Sequence, residues 1–245
     1  MHKTDFRVCI EIGCLRTQKD KGGNTMFSWL KKKKQNPTPY LYSEKDLSAF
    51  DAYVKKHIGE FDEVFHELVS PDIHVDVVPI PNPKDKSGIT LLTMGMGAYP
   101  MNVPSNYKAK GYTRAELAMK LPFGWDIGSN EETSYWPIRV LKMLARLPIS
   151  EQSWLGYRHT IDFGGPFTEN CGFTSVTLDF FLQGDEPLLT LSSGEKVLIY
   201  HVVPLYSEEM QFKIDHSAEA LFALLGDKVL QSAVDMNRPN VVKTN

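Results

Sequence analysis

Several groups of residues in this chain have side chains that could do chemistry. His66, Glu67, His74 and Asp76 offer imidazole and carboxylate groups from two neighbouring predicted strands. Strand alternation places His74 and Asp76 on one face, and zinc or iron can use such ligands in a metal-dependent hydrolase. HExxH and paired cysteines are both missing, and a histidine at a sheet edge commonly does no more than hydrogen-bond. Cys171 and His159 are the types of a thiolate–imidazole pair, since a nearby imidazole lowers a thiol pKa. A lone cysteine beside a strand start is ordinarily a small buried side chain. Ser153, His159 and Asp162 have the types of a nucleophilic triad. They lack the Gly-x-Ser-x-Gly elbow and lie too close in sequence to converge easily. Met94-Gly95-Met96-Gly97 lacks the further glycine, the Lys-Ser/Thr end and the following helix of a phosphate loop. Glu208 and Glu209 are adjacent on a predicted helix, so they diverge and suit capping rather than acid–base work. No mechanism assembles, no cofactor is implied, and the chain reads as a non-enzyme.

Binding is better supported, by the stretch Trp136–His159. Pro137 suits the first turn of a helix, where its missing N–H has no partner to lose. Val140, Leu141, Leu144 and Leu147 then recur on one face as a buried stripe. After the helix comes a glycine-containing loop with Trp154, Tyr157, Arg158 and His159. Loops held by a rigid scaffold carry recognition residues, and Trp, Tyr and Arg anchor protein interfaces. The plainer role for Trp154 is to plug the end of the core, whereas Tyr157 and Arg158 are expected to be exposed.

The elements that hold these residues can be read along the chain. Ser43 precedes an apolar helical spacing through Phe50, Val54 and Ile58, ended by Gly59. Val64–Leu68 and Ile73–Ile80 read as strands across a Ser70-Pro71-Asp72 turn, the second closed by Pro79 and Pro81. Residues 82–88 form a polar loop and Ile89–Met94 a further strand, after which Gly95 and Gly97 allow a bulge or close backbone approach. Ala115–Leu121 alternates as a strand, although its residue types are better helix formers. Phe173–Leu182 is a strand, and Leu188–Leu191 with Lys196–Leu205 forms a hairpin. A helix opens at Ser207, another covers Ala218–Leu225 and stops at Gly226, and residues 237–245 are polar and frayed. Strands with helices at both ends and between them predict a single α/β (α+β) domain, its mixed, mostly antiparallel sheet flanked by helices.

Composition bounds the rest. Hydrophobic residues make up 42% of the 245 and charged residues 23%, enough to build a core. The net charge of -3 argues against a nucleic-acid binder. Three cysteines, Cys9, Cys14 and Cys171, cannot form a disulfide framework, which fits a reducing cytoplasm. No apolar run approaches the ~20 residues of a bilayer span. Residues 1–42 read as an N-terminal extension and linker, 43–230 as the domain and 231–245 as a tail. Lys21-Gly22-Gly23, upstream of Met26, can encode a ribosome-binding sequence, so Met26 is expected as the translation start. Lys31–Lys34 read as a solvated basic run.

From about Tyr53 to Leu225 the chain resembles a bacterial suppressor-of-fused domain. The blocks that carry the resemblance are VFHELVSPDIHVDVVPIP, LLTMGMGAYPMNVP, YWPIRVLKMLARLP, WLGYRHTI and VPLYSEEMQFKIDHSAEALFALL, in that order. The resemblance implies an α/β sheet-and-helix domain that holds a protein partner and has no catalytic residues. In animal relatives a second domain completes a clamp on an extended peptide of a transcription factor, added as a strand. Those relatives carry an acidic residue directly before the loop histidine, where this chain has Arg158 before His159. They also carry a tyrosine late in the helix where this chain has Leu147. The resemblance therefore implies partner contacts at Leu147, Trp154, Tyr157, Arg158 and His159, with a different partner. Bacterial members are inferred to be immunity proteins that bind toxin domains in the cytoplasm. A scaffold role in a larger assembly is the further alternative.

Overall fold

The structure, a computed structural model, describes residues 7–9, 38–82, 88–182, 184 and 187–243. An eight-stranded sheet forms its centre. The strands are β1 (Arg7–Cys9), β2 (Asp76–Asn82), β3 (Gly88–Met94), β4 (Arg114–Leu121), β5 (Thr160–Asp162), β6 (Phe173–Phe180), β7 (Leu189–Thr190) and β8 (Lys196–Tyr206). Their order is β1-β5-β6-β8-β4-β3-β2, with β7 paired to β8. The β4–β8 pair is parallel and the other pairs are antiparallel, so the sheet is mixed and mostly antiparallel. The helices are α1 (Glu44–His57), α2 (Ser105–Ala109), α3 (Glu132–Ser150), α4 (Ser207–Asp215) and α5 (Ala218–Leu230).

Strand β8 shows why helices must cover both faces. Leu198, Tyr200 and Val202 point to one side, where they join Trp136, Val140, Leu141 and Leu144 of α3. Val197 and Ile199 point to the other, beside Phe50 and Val54 of α1. Further along that side, Val203 and Leu205 meet Leu221, Phe222 and Leu225 of α5. A strand apolar on both faces reads as a continuous hydrophobic run, as VLIYHVVPL does. Ser43 caps α1 as expected: it accepts from Asp46 N at 3.2 Å, and Asp46 accepts from Ser43 N at 3.3 Å.

Several expectations need correction. Val64–Leu68 is not a strand; Phe65 alone bridges to Val77, with N–H···O distances of 2.8 and 3.2 Å. Pro79 and Pro81 do not close β2, which pairs with β3 as far as Asn82. The strand lies at the sheet edge, where an outward-facing proline removes no ladder bond. Helix α3 begins at Glu132, so Pro137 and Pro148 lie inside it. Helix α4 is capped by Tyr206, leaving Ser207 as its first residue. Gly226 does interrupt α5, at φ 60° and ψ 171°, but the helix resumes to Leu230.

The domain edges also differ from those expected. Tyr42, assigned to the linker, is buried against α1 and gives its hydroxyl to Glu116 at 2.7 Å. Arg7–Cys9, from the expected extension, pair with β5 in the register Arg7↔Asp162, Val8↔Ile161 and Cys9↔Thr160. The expected tail is docked: Arg238 is buried in a two-pronged ion pair with Glu209 at 2.6 and 2.5 Å. Met26, Lys31–Lys34 and most of the 82–88 loop lie outside the described residues.

Candidate functional site

The aromatic loop is fixed at both ends before its side chains are placed. Helix α3 ends in a turn in which Ser153 N donates to Pro148 O at 3.0 Å. Arg158 N donates to Leu178 O at 2.7 Å, and Leu178 N donates to His159 O at 3.0 Å, tying the loop to β6. Gly156 is required here, because a Cβ would sit 2.3 Å from the Trp154 ring. Arg158 itself adopts φ +65°, a left-handed backbone conformation uncommon outside glycine.

The five expected contact residues separate into two groups. Leu147, at 1% exposure, belongs to the core stripe of α3. Trp154 (9%) packs between Tyr107, at 4.7 Å, and His159, at 4.3 Å. His159 (4%) is held neutral, its pKa lowered to about 4 by burial and by the nearby Lys213 ammonium. These three are core side chains in this fold and present no contact surface. The helix stripe and the plugging role of Trp154 account for them.

Tyr157 and Arg158 do reach the surface, though both are half-buried. Tyr157 stacks on Phe180, with centroids 4.6 Å apart and planes inclined by 16°, and meets Phe222 edge-on at 5.8 Å. The Arg158 guanidinium lies 5.0 Å from the Tyr157 ring and 5.1 Å from Phe222, and it forms an ion pair with Glu219. A planar cation held over two rings and one carboxylate is pre-oriented.

Tyr157 also forms part of the wall of a cleft of about 590 Å³. Asn106, Tyr107 and Lys110 come from α2 and its C-terminus, Tyr112 from the following loop, and Phe180 and Leu182 from the end of β6. Leu188, Leu198 and Tyr200 complete its lining. Burial raises the Tyr200 pKa, with the neighbouring Tyr107 and Tyr112 adding to the effect. Sequence reasoning singles out Tyr157 of these lining residues and none of the other rings. Their positions are far apart in the chain and follow no shared period, so only the sheet brings them together.

The metal candidates are brought together but face one another. His66 Nδ1 lies 3.0 Å from Asp76 Oδ2, and His74 Nε2 lies 3.1 Å from Asp76 Oδ1. The other His74 nitrogen bonds Ser70 Oγ at 2.7 Å. Glu67 accepts from Ser70 Oγ at 2.9 Å and pairs with Arg146 of α3. The result is a network that fastens the 66–76 loop to α3. Among the described residues no group of three or more His, Cys, Asp or Glu side chains is arranged to hold a metal ion.

The remaining chemical candidates resolve in the same way. Cys171 is buried, its thiol facing Phe173 O at 3.9 Å, and burial raises its pKa, opposite to what an activated thiolate needs. His159 Nδ1 and Ser153 Oγ are both buried without a partner among the described residues, so no Ser–His bond exists. Asp162 accepts from Gly164 N at 2.9 Å. The glycine pair after β3 does cradle an anion, and that anion is a protein carboxylate. Gly95 N and Gly97 N donate to Glu116 at 2.9 and 3.0 Å, with Thr93 and Tyr42 as further donors. Burial pushes the Glu116 pKa up, and these donors oppose the rise.

A family model described as suppressor of fused protein (SUFU) matches residues 71–239. An uncharacterized protein of Ureaplasma parvum serovar 3 is 24% identical over 208 residues, which is 83% of this chain and 99% of that protein. A solved suppressor-of-fused homolog from Neisseria gonorrhoeae aligns with a TM-score of 0.56 at 18% identity, over 82% of this chain and 96% of that one. A chain of the solved Sufu–Fu complex aligns with a TM-score of 0.52 at 12% identity, over 84% and 95%. Drosophila Suppressor of Fused aligns with a TM-score of 0.50 at 11% identity, over 81% of this chain and 50% of that one.

Proposed function

The chain belongs to the suppressor of fused protein family, and from that membership we propose that it is a protein-binding module that sequesters a partner without catalysis. The observation that carries this reading is the surface pair Tyr157 and Arg158, held on a loop tied to β6 at the rim of an aromatic cleft. Interface hot spots are enriched in these two residue types. That a chain of this fold has been solved in a Sufu–Fu complex supports the same use of the scaffold. The partner class proposed is a toxin domain, which would make this chain an immunity protein acting in the cytoplasm. No helix among the described residues is long and apolar enough to cross a membrane.

Co-expression with the product of the adjacent gene tests the proposal. A stable complex on size exclusion is expected, and growth should be rescued if that product is toxic. Tyr157→Ala and Arg158→Ala should each weaken the complex by about 2 kcal/mol, roughly 30-fold, with thermal melts confirming that both variants fold. Repeated failure to form a complex would overturn the reading. So would stoichiometric zinc or iron together with a hydrolytic activity abolished by His74→Ala, which would favour the metal-dependent hydrolase.

A further inference from the structure

We propose that the cleft between α2 and the end of β6 receives an aromatic side chain from the partner, flanked in the partner's sequence by carboxylates. The inference rests on the protein-binding reading and specifies the chemistry of what is bound. Size is the first requirement: about 590 Å³ falls within the roughly 300–1,000 Å³ of ligand-holding clefts. Ring geometry is the second. Tyr157 and Phe180 stack at 4.6 Å, and Phe180 lies 5.8 Å from Tyr200, forming a wall of π faces. Phe180 is 39% exposed, so this wall is only partly covered. An incoming ring gains offset or edge-to-face contact there beyond the area it buries.

Polarity decides which ring-bearing ligand fits. The cleft is lined by the phenols of Tyr107, Tyr112, Tyr157 and Tyr200. Lys110 supplies the one charge among the described lining residues, and it is exposed at the end of α2. Arg158, whose guanidinium lies against the lining residue Tyr157, is already paired with Glu219. One ammonium and a set of hydroxyl groups suit a carboxylate and peptide carbonyls. A nucleic acid would stack as well, but its affinity depends on neutralising several phosphates with several cations, and the chain's net charge is -3. A partner segment in which an aromatic residue sits beside Asp or Glu satisfies the walls, the donors and the charge together.

Tyrosine-ring NMR signals of the full chain would be followed during titration with the blocked tripeptide Ac-Glu-Phe-Glu-NH2. Ac-Lys-Phe-Lys-NH2, Ac-Glu-Ala-Glu-NH2 and AMP would be titrated in parallel. The acidic aromatic peptide should shift the Tyr107, Tyr112 and Tyr157 signals with a Kd about tenfold lower than either peptide control. Lys110→Glu, on an exposed helix end, should reverse the Glu/Lys preference while leaving the melt unchanged. Equal Kd values, tighter binding of AMP, an unchanged preference in Lys110→Glu, or no shift up to millimolar peptide would each overturn the proposal. A partner complex that forms while no peptide binds would remove the cleft assignment and leave the protein-binding function standing. Peptide binding without any partner complex would do the reverse.

Discussion

His159 and His201 give this protein a pH response set by burial. Burial lowers the His159 pKa to about 4 and the His201 pKa to about 3. His201 is fixed by a 2.8 Å contact from Nδ1 to Leu230 O. In the unfolded chain both would titrate near 6.5. Below that pH the unfolded state binds protons that the folded state refuses, so stability falls as pH falls. The loss begins near pH 6.5 and is complete near the folded values; for His159 it is on the order of 3 kcal/mol. Glu116, whose pKa burial raises, acts in the opposite sense: the folded state takes its proton first, so its contribution grows as pH falls. A paired comparison separates the two. The urea midpoint of His201→Phe should decline less than that of the parent chain between pH 6.5 and 4. Parallel declines would remove His201 from the account.

At the scale of elements, the two prolines of β2 guard a sheet edge and do not end the strand. Phe65 covers the outer edge of β2 at Val77, and the two prolines, at the next two outward positions, present no N–H to a foreign strand. Replacing both (Pro79→Val, Pro81→Val) should leave the β2–β3 ladder intact and create a pairing edge. Size exclusion should then show self-association at concentrations where the parent is monodisperse; an unchanged profile would argue that other groups protect this edge. The same prolines show what local sequence can reveal. Alternation at Ala115–Leu121 identifies β4 (Arg114–Leu121) because that strand's pattern follows from its own pleat. The end of β2 was misplaced because a proline is tolerated or excluded according to whether the strand is central or at an edge, which depends on the whole sheet. Pro137 misplaced the start of α3 for a similar reason. Buried packing by Trp136, Ile138 and Val140 holds the helix through it, and local propensity carries no trace of that packing.

The whole molecule is closed by a segment that reads as a tail. Arg238 reaches back to Glu209 and to Pro204 O, at 3.0 Å, and lies about 5 Å from the Phe173 and Tyr206 rings. Arg238→Met should destabilise the domain by about 3–5 kcal/mol, because Glu209 would remain buried without its counterion. Adding Glu209→Leu should recover much of that loss in denaturant melts; if the double variant is no better than the single, the arginine acts through packing alone. Glu209, Arg238 and the cleft rings were not legible as sites for one physical reason. Glu209 and Arg238 are 29 positions apart, Phe180 meets its ring partners Tyr157 and Tyr200 only across separate strands and loops, and neither composition nor periodicity records such distances. Tyr157 stands out in the sequence because it clusters with Trp154, Arg158 and His159 in one glycine-containing loop.

Arg158 has one more consequence, which concerns what the chain forgoes. Its φ of +65° suits glycine, and a non-glycine residue held there costs on the order of 1 kcal/mol or more. Glycine would relax the backbone at the same point where it removed the guanidinium from Glu219, Tyr157 and Phe222. Arg158→Gly should therefore melt within a few degrees of the parent while losing most of its grip on a partner. A screen for thermostability alone would therefore let that exchange pass, although it removes the side chain on which the proposed recognition depends.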